Sequence, residues 1–295
     1  MAFMAYDIID IPSENFNSRG RIPIELIIIH SVGLDLASTV RGFAYKNGCP
    51  GGLGVSPHYL VPQITGQEFL DHLADKFNLT ALLNYPNQVP VIRFVQEKER
   101  AWHAGVSAWG IFNERPGCET GLNSCSIGIE FHAPGYGLDG KDWFHFTSFT
   151  RAQMITGAEL MRNICSRHNI KPSNIIGHSD IAPWNPTYIK TDPGPLFPWK
   201  WLYDEYQLGL WPIDWSPRTE LKSDNQQNYV KQLLRAIGYK LSDASEWTEL
   251  DRYIVNAFRM HFMQDSYQVI NPAHEDFGKI DIRLIDYLER FSKDF

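Results

Sequence analysis

The segment Gly177–Gly194 sets His178, Lys190 and Asp192 on a stretch stiffened by Pro183, Pro186 and Pro193. A proline-rich backbone has few conformations to lose, so it can hold side chains in place at small entropic cost. His178 and Asp192 are zinc-binding residue types, and a catalytic zinc takes three protein ligands while keeping one position open. His30, which ends the apolar run Glu25–His30, completes a set of two nitrogens and one carboxylate. Neutral imidazoles and an ionised carboxylate are available near neutral pH, where zinc brings the pKa of a water it holds to about 7. That water must lose a proton as it attacks, and an amine leaving group must gain one, so a base that turns acid is needed nearby. Glu130 is the candidate, because it lies in a strand among Ile127, Ile129 and Phe131, where a carboxylate is costly unless a cation stands close. Lys190, two residues before Asp192, is the candidate for stabilising the oxyanion. Trp102 and His103, followed by Ala104 and Gly105, form a turn whose rings could line a cleft; a buried tryptophan beside a surface histidine is the equal alternative. His30 taken alone reads as a histidine hydrogen-bonded at the rim of a core.

The elements that must carry these residues follow from the hydrophobic pattern. Glu25–His30 has the continuous apolar run of a strand covered on both faces. A helix is expected over 38–47, capped by Ser38 or Thr39 and stopped by Gly48. A strand over 56–61 follows, then an inserted helix or lid within 64–88 with Phe69, Leu70, Leu73 and Phe77 at helical spacing. Further strands are expected over 91–95, 123–131 and 174–178. Between the last two lies a long helix, with Thr150 and Gln153 as a capping box and Met154, Ala158, Met161, Cys165 and His168 as its core stripe. Helices alternating with strands predict an α/β domain with a mixed central sheet flanked by helices. The aromatic, proline-rich composition stops near Ser216. Three amphipathic helices then predict a small all-α C-terminal domain, giving domains 1–216 and 217–295.

The bulk composition narrows the class. The chain has 295 residues, 43% hydrophobic and 21% charged, as in a globular protein. A net charge of −7 and a pI of about 5.8 remove the general attraction to nucleic acid, so no nucleic-acid partner is expected. No apolar run is long enough for a transmembrane segment. The N-terminus lacks a secretory signal, so the sequence as given reads as cytosolic; an exported protein with a processed or trimmed start would look the same. Cys49, Cys118, Cys125 and Cys165 read mostly as free thiols, although Cys118 and Cys125 could close a short loop under oxidising conditions. Nothing in the pattern reports an oligomeric state.

Five motifs in register then carry a family resemblance: the strand ending in His30, the Trp102–Gly105 turn, Ser126–Glu130, Gly177–Pro183 and Lys190–Pro195. Together they resemble the zinc-dependent N-acetylmuramoyl-L-alanine amidases of type 2 (AmpD/AmiD-like), related to phage T7 lysozyme and peptidoglycan recognition proteins. The resemblance implies zinc held by His30, His178 and Asp192, proton transfer by Glu130 and transition-state support by Lys190. It also implies hydrolysis of the amide between N-acetylmuramic acid, or its 1,6-anhydro form, and L-alanine in peptidoglycan or muropeptide fragments. The stretch Ile254–Phe262 resembles the helical peptidoglycan-binding domain of the AmiD-like branch; a helical domain that only stabilises the amidase or mediates dimerisation is the alternative. A non-catalytic peptidoglycan recognition protein is the competing function, and such relatives often lack a metal ligand that is present here. Residues 184–189 lengthen the loop between His178 and Lys190 relative to many relatives, and are where this protein is expected to differ.

Overall fold

A computed structural model of the chain describes residues 6–135, 145–183, 190–211, 226–267 and 272–292. The loop extension at 184–189 and the expected domain boundary at residue 216 lie outside them. Eight strands are described: β1 (Ile8–Asp10), β2 (Phe16–Ser18), β3 (Leu26–Val32), β4 (Tyr59–Val61), β5 (Val91–Arg93), β6 (Glu99–Ala101), β7 (Ser126–His132) and β8 (Ile175–Gly177). The helices are α1 (Leu36–Ala44), α2 (Gly66–Phe77), α3 (Arg151–His168), α4 (His178–Ile181), α5 (Trp199–Tyr206), α6 (Gln226–Ile237), α7 (Glu249–Phe262) and α8 (Ile282–Phe291). Six strands form one sheet in the order β1-β5-β4-β7-β3-β8, while β2 and β6 pair separately. The sheet is mixed, with β4 and β5 antiparallel and the other pairings parallel.

Side chains alternate across a strand, so each strand divides its residues between two faces. Ile27 and Ile29 of β3, with Ile127, Ile129 and Phe131 of β7, pack under α3 and α5 against Met154, Ala158, Met161 and Leu202. The helix comes close there, since a Cβ on Gly157 would lie 2.4 Å from the Phe131 ring. The opposite face carries two separate cores. On the side of β1, β5 and β4, Ile9, Ile92 and Leu60 pack with Val40, Phe69 and Leu73. On the side of β3 and β8, Leu26, Ile28 and Ile176 share a cluster with Val230, Leu234, Ile254, Phe258 and Leu288 from the C-terminal helices. Between the two cores runs β7, whose residues on that face are Ser126, Gly128 and Glu130.

Several local expectations are revised. Asp35, not Ser38 or Thr39, caps α1 by accepting the Ser38 N–H, and the helix ends at Ala44, ahead of Gly48. The inserted helix α2 packs Phe69 and Leu73 into a core. Thr150 caps α3, but Gln153 leaves the capping box half made; its Nε2 donates to the carbonyls of Val61 and His132, fastening helix to sheet. His168 is not a core residue of α3, because its Nε2 meets Glu97 Oε2 at 2.7 Å at the edge of the fold. All four cysteines are free thiols, with Cys118 and Cys125 buried.

Candidate metal centre

Strand register assembles the site. In the parallel pairing of β3 with β7, His30 lies opposite Glu130, two positions beyond the Ile28–Gly128 pair. On the other side of β3, Ile29 pairs with Gly177, so the next residue, His178, emerges beside His30 as α4 begins. Three neighbouring strands therefore deliver Glu130, His30 and His178 to one edge of one face. Strand ends are where α/β sheets expose their reactive side chains. Asp192 joins them from the segment that follows, and its carbonyl accepts the Ser179 N–H at 2.8 Å, tying that segment to α4.

His30 Nδ1 lies 3.0 Å from His178 Nδ1 and 3.2 Å from Asp192 Oδ2, and the last two atoms are 3.0 Å apart. All three residues are buried. They are the group among the described residues that could hold a metal ion. The fit can be tested on these distances. Ligand atoms bonded tetrahedrally to zinc at about 2.0–2.1 Å lie about 3.3 Å from one another, close to the triangle seen. The protonation states also suit a cation. Burial, followed by the neighbouring His178, pulls the His30 imidazolium down to about 4, so the ring is neutral. For Asp192, burial alone would raise the carboxyl, but His178 and His30 outweigh it and hold the group well below the ordinary carboxylate range.

The tautomer of His30 is set from behind. Ser126 donates its hydroxyl proton to the Leu122 carbonyl at 2.6 Å, so its oxygen accepts from His103 Nε2–H at 3.3 Å. His103 Nδ1 is then a lone pair that accepts from His30 Nε2–H at 3.1 Å, which leaves the His30 Nδ1 lone pair facing His178 and Asp192. The His103 ring lies against Gly128, where a Cβ would be 2.4 Å from it. Its backbone is fixed too, since Asn123 Oδ1 accepts from the N–H groups of His103 and Ala104. Beyond it, His58 meets the His103 ring edge-on at 5.5 Å and accepts the Gly128 N–H. Burial keeps this row of histidines uncharged, with His58 at about 3 and His103 well below its ordinary value.

Glu130 is half-buried, and its Oε2 is shielded from solvent with no hydrogen-bond partner among the described residues. Burial, and after it the Asp192 charge, pushes this carboxyl well above the ordinary range, against the opposing pull of Lys190. The Lys190 charge also acts on His30, which sets the ammonium within electrostatic range of both groups. The other two candidates part company. His103 faces inward, with both ring nitrogens engaged, while Trp102 is half-buried and donates Nε1–H to Asn17 Oδ1 at 2.7 Å beside the β2–β6 pair.

The sequence motif Ser126–Glu130 gave Ser126 and Gly128 no role of their own, and Asn123 stood outside every motif. For the first two a signal was available, because Ser126, Gly128 and Glu130 alternate along one face, and two small residues beside a carboxylate leave room for something else.

Comparison with known proteins adds four findings. A family profile described as N-acetylmuramoyl-L-alanine amidase matches residues 20–195. The Escherichia coli N-acetylmuramoyl-L-alanine amidase AmiD is 30% identical over 253 residues, covering 83% of this chain and 76% of that protein. The structure of E. coli AmiD with the substrate anhydro-N-acetylmuramic acid-L-Ala-D-gamma-Glu-L-Lys matches with a TM-score of 0.68 at 28% identity, over 95% of this chain and 93% of that one. Pseudomonas aeruginosa AmpDh3 in complex with anhydromuramic pentapeptide matches with a TM-score of 0.66 at 25% identity, over 100% of this chain and 98% of that one.

Proposed function

The chain belongs to the N-acetylmuramoyl-L-alanine amidase family, and we propose that it hydrolyses the muramyl–L-alanine amide of peptidoglycan fragments, the 1,6-anhydro forms among them, at a zinc held by His30, His178 and Asp192. The observation that carries this reading is the convergence of three buried donor atoms within 3.2 Å of one another beside a carboxylate oxygen that lacks a hydrogen-bond partner among the described residues. Zinc bound there would supply Lewis acidity, activating a water near neutral pH and polarising the amide carbonyl.

The chain's own residues supply the rest. Glu130 takes a proton from the attacking water as its oxygen adds to the carbonyl carbon, and returns that proton to the amide nitrogen as the C–N bond breaks. A carboxyl whose pKa is raised by burial suits both halves of this cycle, since it can hold the proton between the two steps. Lys190 stabilises the negative charge that develops on the former carbonyl oxygen. His103 leaves the His30 Nδ1 lone pair facing His178 and Asp192, where zinc would be held, and this gives it a supporting role in place of a substrate contact. Residues 1–216 carry the chemistry, and residues 217–295 form the second domain.

Glu130→Gln tests the assignment. The variant is expected to bind zinc as the parent does and to release stem peptide from anhydro-muropeptides about 10²–10⁴-fold more slowly, followed by mass spectrometry. Near-normal turnover would remove Glu130 from its role, and turnover indifferent to chelation would remove zinc.

A further inference from the structure

The C-terminal helices reach two of the three proposed metal ligands through their neighbours. Asp180, two residues after His178, is buried, and its Oδ2 accepts the Gly177 N–H at 2.8 Å across the start of α4. Its remaining donors come from the C-terminal segment. Tyr239 Oη–H, just after α6, donates to Asp180 Oδ1 at 2.6 Å, and His261 Nδ1–H of α7 donates to Oδ2 at 2.7 Å. The His261 ring is itself fixed by stacking on Trp199 of α5, with centroids 3.9 Å apart. Directly after α7, the Gln264 side chain donates both amide hydrogens to the segment that follows Asp192, reaching the carbonyl of Pro195 at 2.8 Å and that of Phe197 at 2.7 Å.

We propose that Tyr239, His261 and Gln264 are positioning residues of the metal centre, setting the distance between His178 and Asp192 from outside the catalytic sheet. The chemistry follows from what Asp180 needs. A buried carboxylate with only the Gly177 N–H would be short of donors and would seek others by moving, and α4 carries His178 with it. Gln264 does the same for the other ligand, because two carbonyls held by one amide fix the turn through which Pro193 and Gly194 leave Asp192. The stretch that resembles a peptidoglycan-binding motif contributes to this buttress: Ile254, Val255, Ala257, Phe258, Met260, His261 and Phe262 are all buried. The proposal rests on the reading of His30, His178 and Asp192 as ligands.

The test uses full-length protein and two substitutions that change little volume, Tyr239→Phe and Gln264→Glu. Zinc dissociation constants come from competition with a chromophoric chelator, and the d–d absorption of the Co(II)-substituted protein reports ligand geometry. Each variant is expected to weaken zinc binding about tenfold, in line with the effect of residues that orient ligands, to shift the Co(II) bands, and to lower kcat with little change in KM. Tyr229→Phe, which deletes a bond to Glu289 inside the helical segment, is expected to match the parent in all three. Parental zinc affinity and an unchanged Co(II) spectrum in Tyr239→Phe and Gln264→Glu would overturn the proposal, even if both melt at lower temperature. His178→Ala distinguishes the underlying reading: zinc binding that survives it would show that the ligand assignment itself is at fault.

Discussion

Gly128→Ala puts a single methyl where the His103 ring now lies. The added Cβ would stand 2.4 Å from Cγ, 2.6 Å from Nδ1 and 2.7 Å from Cδ2 of that ring. Carbon atoms rest at about 3.5–4.0 Å, so the ring must withdraw by about 1 Å or the strand must bend. Neither hydrogen bond of the ring can follow. At 3.1 Å to His30 and 3.3 Å to Ser126, each has only a few tenths of an ångström before it reaches the limit of about 3.5 Å. Loss of the acceptor for His30 Nε2–H leaves a buried donor unpaired, at a cost of about 1–3 kcal/mol, and overpacking adds about 1–3 kcal/mol. Zinc affinity is expected to fall about 10–100-fold, because the ring no longer orients its ligand. The decisive measurement is a double-mutant cycle with His103→Ala, read by urea unfolding of the metal-free protein and by zinc competition. With the ring gone there is room for the methyl, so Gly128→Ala should cost little in the His103→Ala background. Effects that add to within about 0.5 kcal/mol would refute the reasoning, since the methyl would then be acting on something other than the ring.

Two further outcomes concern the scaffold. Burial alone would raise the Glu97 carboxyl, but donors from Arg167, His168 and Tyr59 outweigh it and bring the group down to about 2. A folded pKa below the ordinary value stabilises the protein above the unfolded pKa of 4.5 and loses that contribution as pH falls from there towards about 2. Discounted for the exposure of Arg167, Glu97→Gln should cost about 1–2 kcal/mol at neutral pH and flatten the acid limb of a stability–pH curve; an unchanged acid limb would contradict this. Within the helical segment, buried Lys231 meets Asp251 at 2.9 Å and donates to Ser242 and to the carbonyls of Ala244 and Glu246. Lys231→Met strands the Asp251 charge and should cost about 3–5 kcal/mol in denaturant unfolding, with a loss below about 1 kcal/mol counting against it.

What the sequence disclosed depended on how local the determinant was. The β-branched run ending in His30 and the apolar alternation around Glu130 are short-range patterns, and both became the central strands β3 and β7. The stripe Met154, Ala158 and Met161 likewise became the packed face of α3. Ring orientation in the Trp102–His103 turn was not legible, because it depends on Ser126 and Gly128 from another strand. The shift of the α1 cap to Asp35 has a similar cause: Thr39, a good cap by type, is buried and spends its hydroxyl on the Leu34 carbonyl. The contacts of Tyr239 and His261 with Asp180 join positions far apart in the chain, and nothing near either residue announces them. The C-terminal helices were legible as helices; their use as the cover of β3 and β8 was not.

That shared cover affects how the molecule is made. Leu26 and Ile28 emerge from the ribosome about 200 residues before Val230 and Phe258, their partners in one cluster. Until the last helices arrive, one flank of the central sheet is an exposed apolar surface, the kind of intermediate that aggregates or engages chaperones. The order of synthesis therefore delays full burial of the flank beside His30 and His178 until the C-terminal helices have been made.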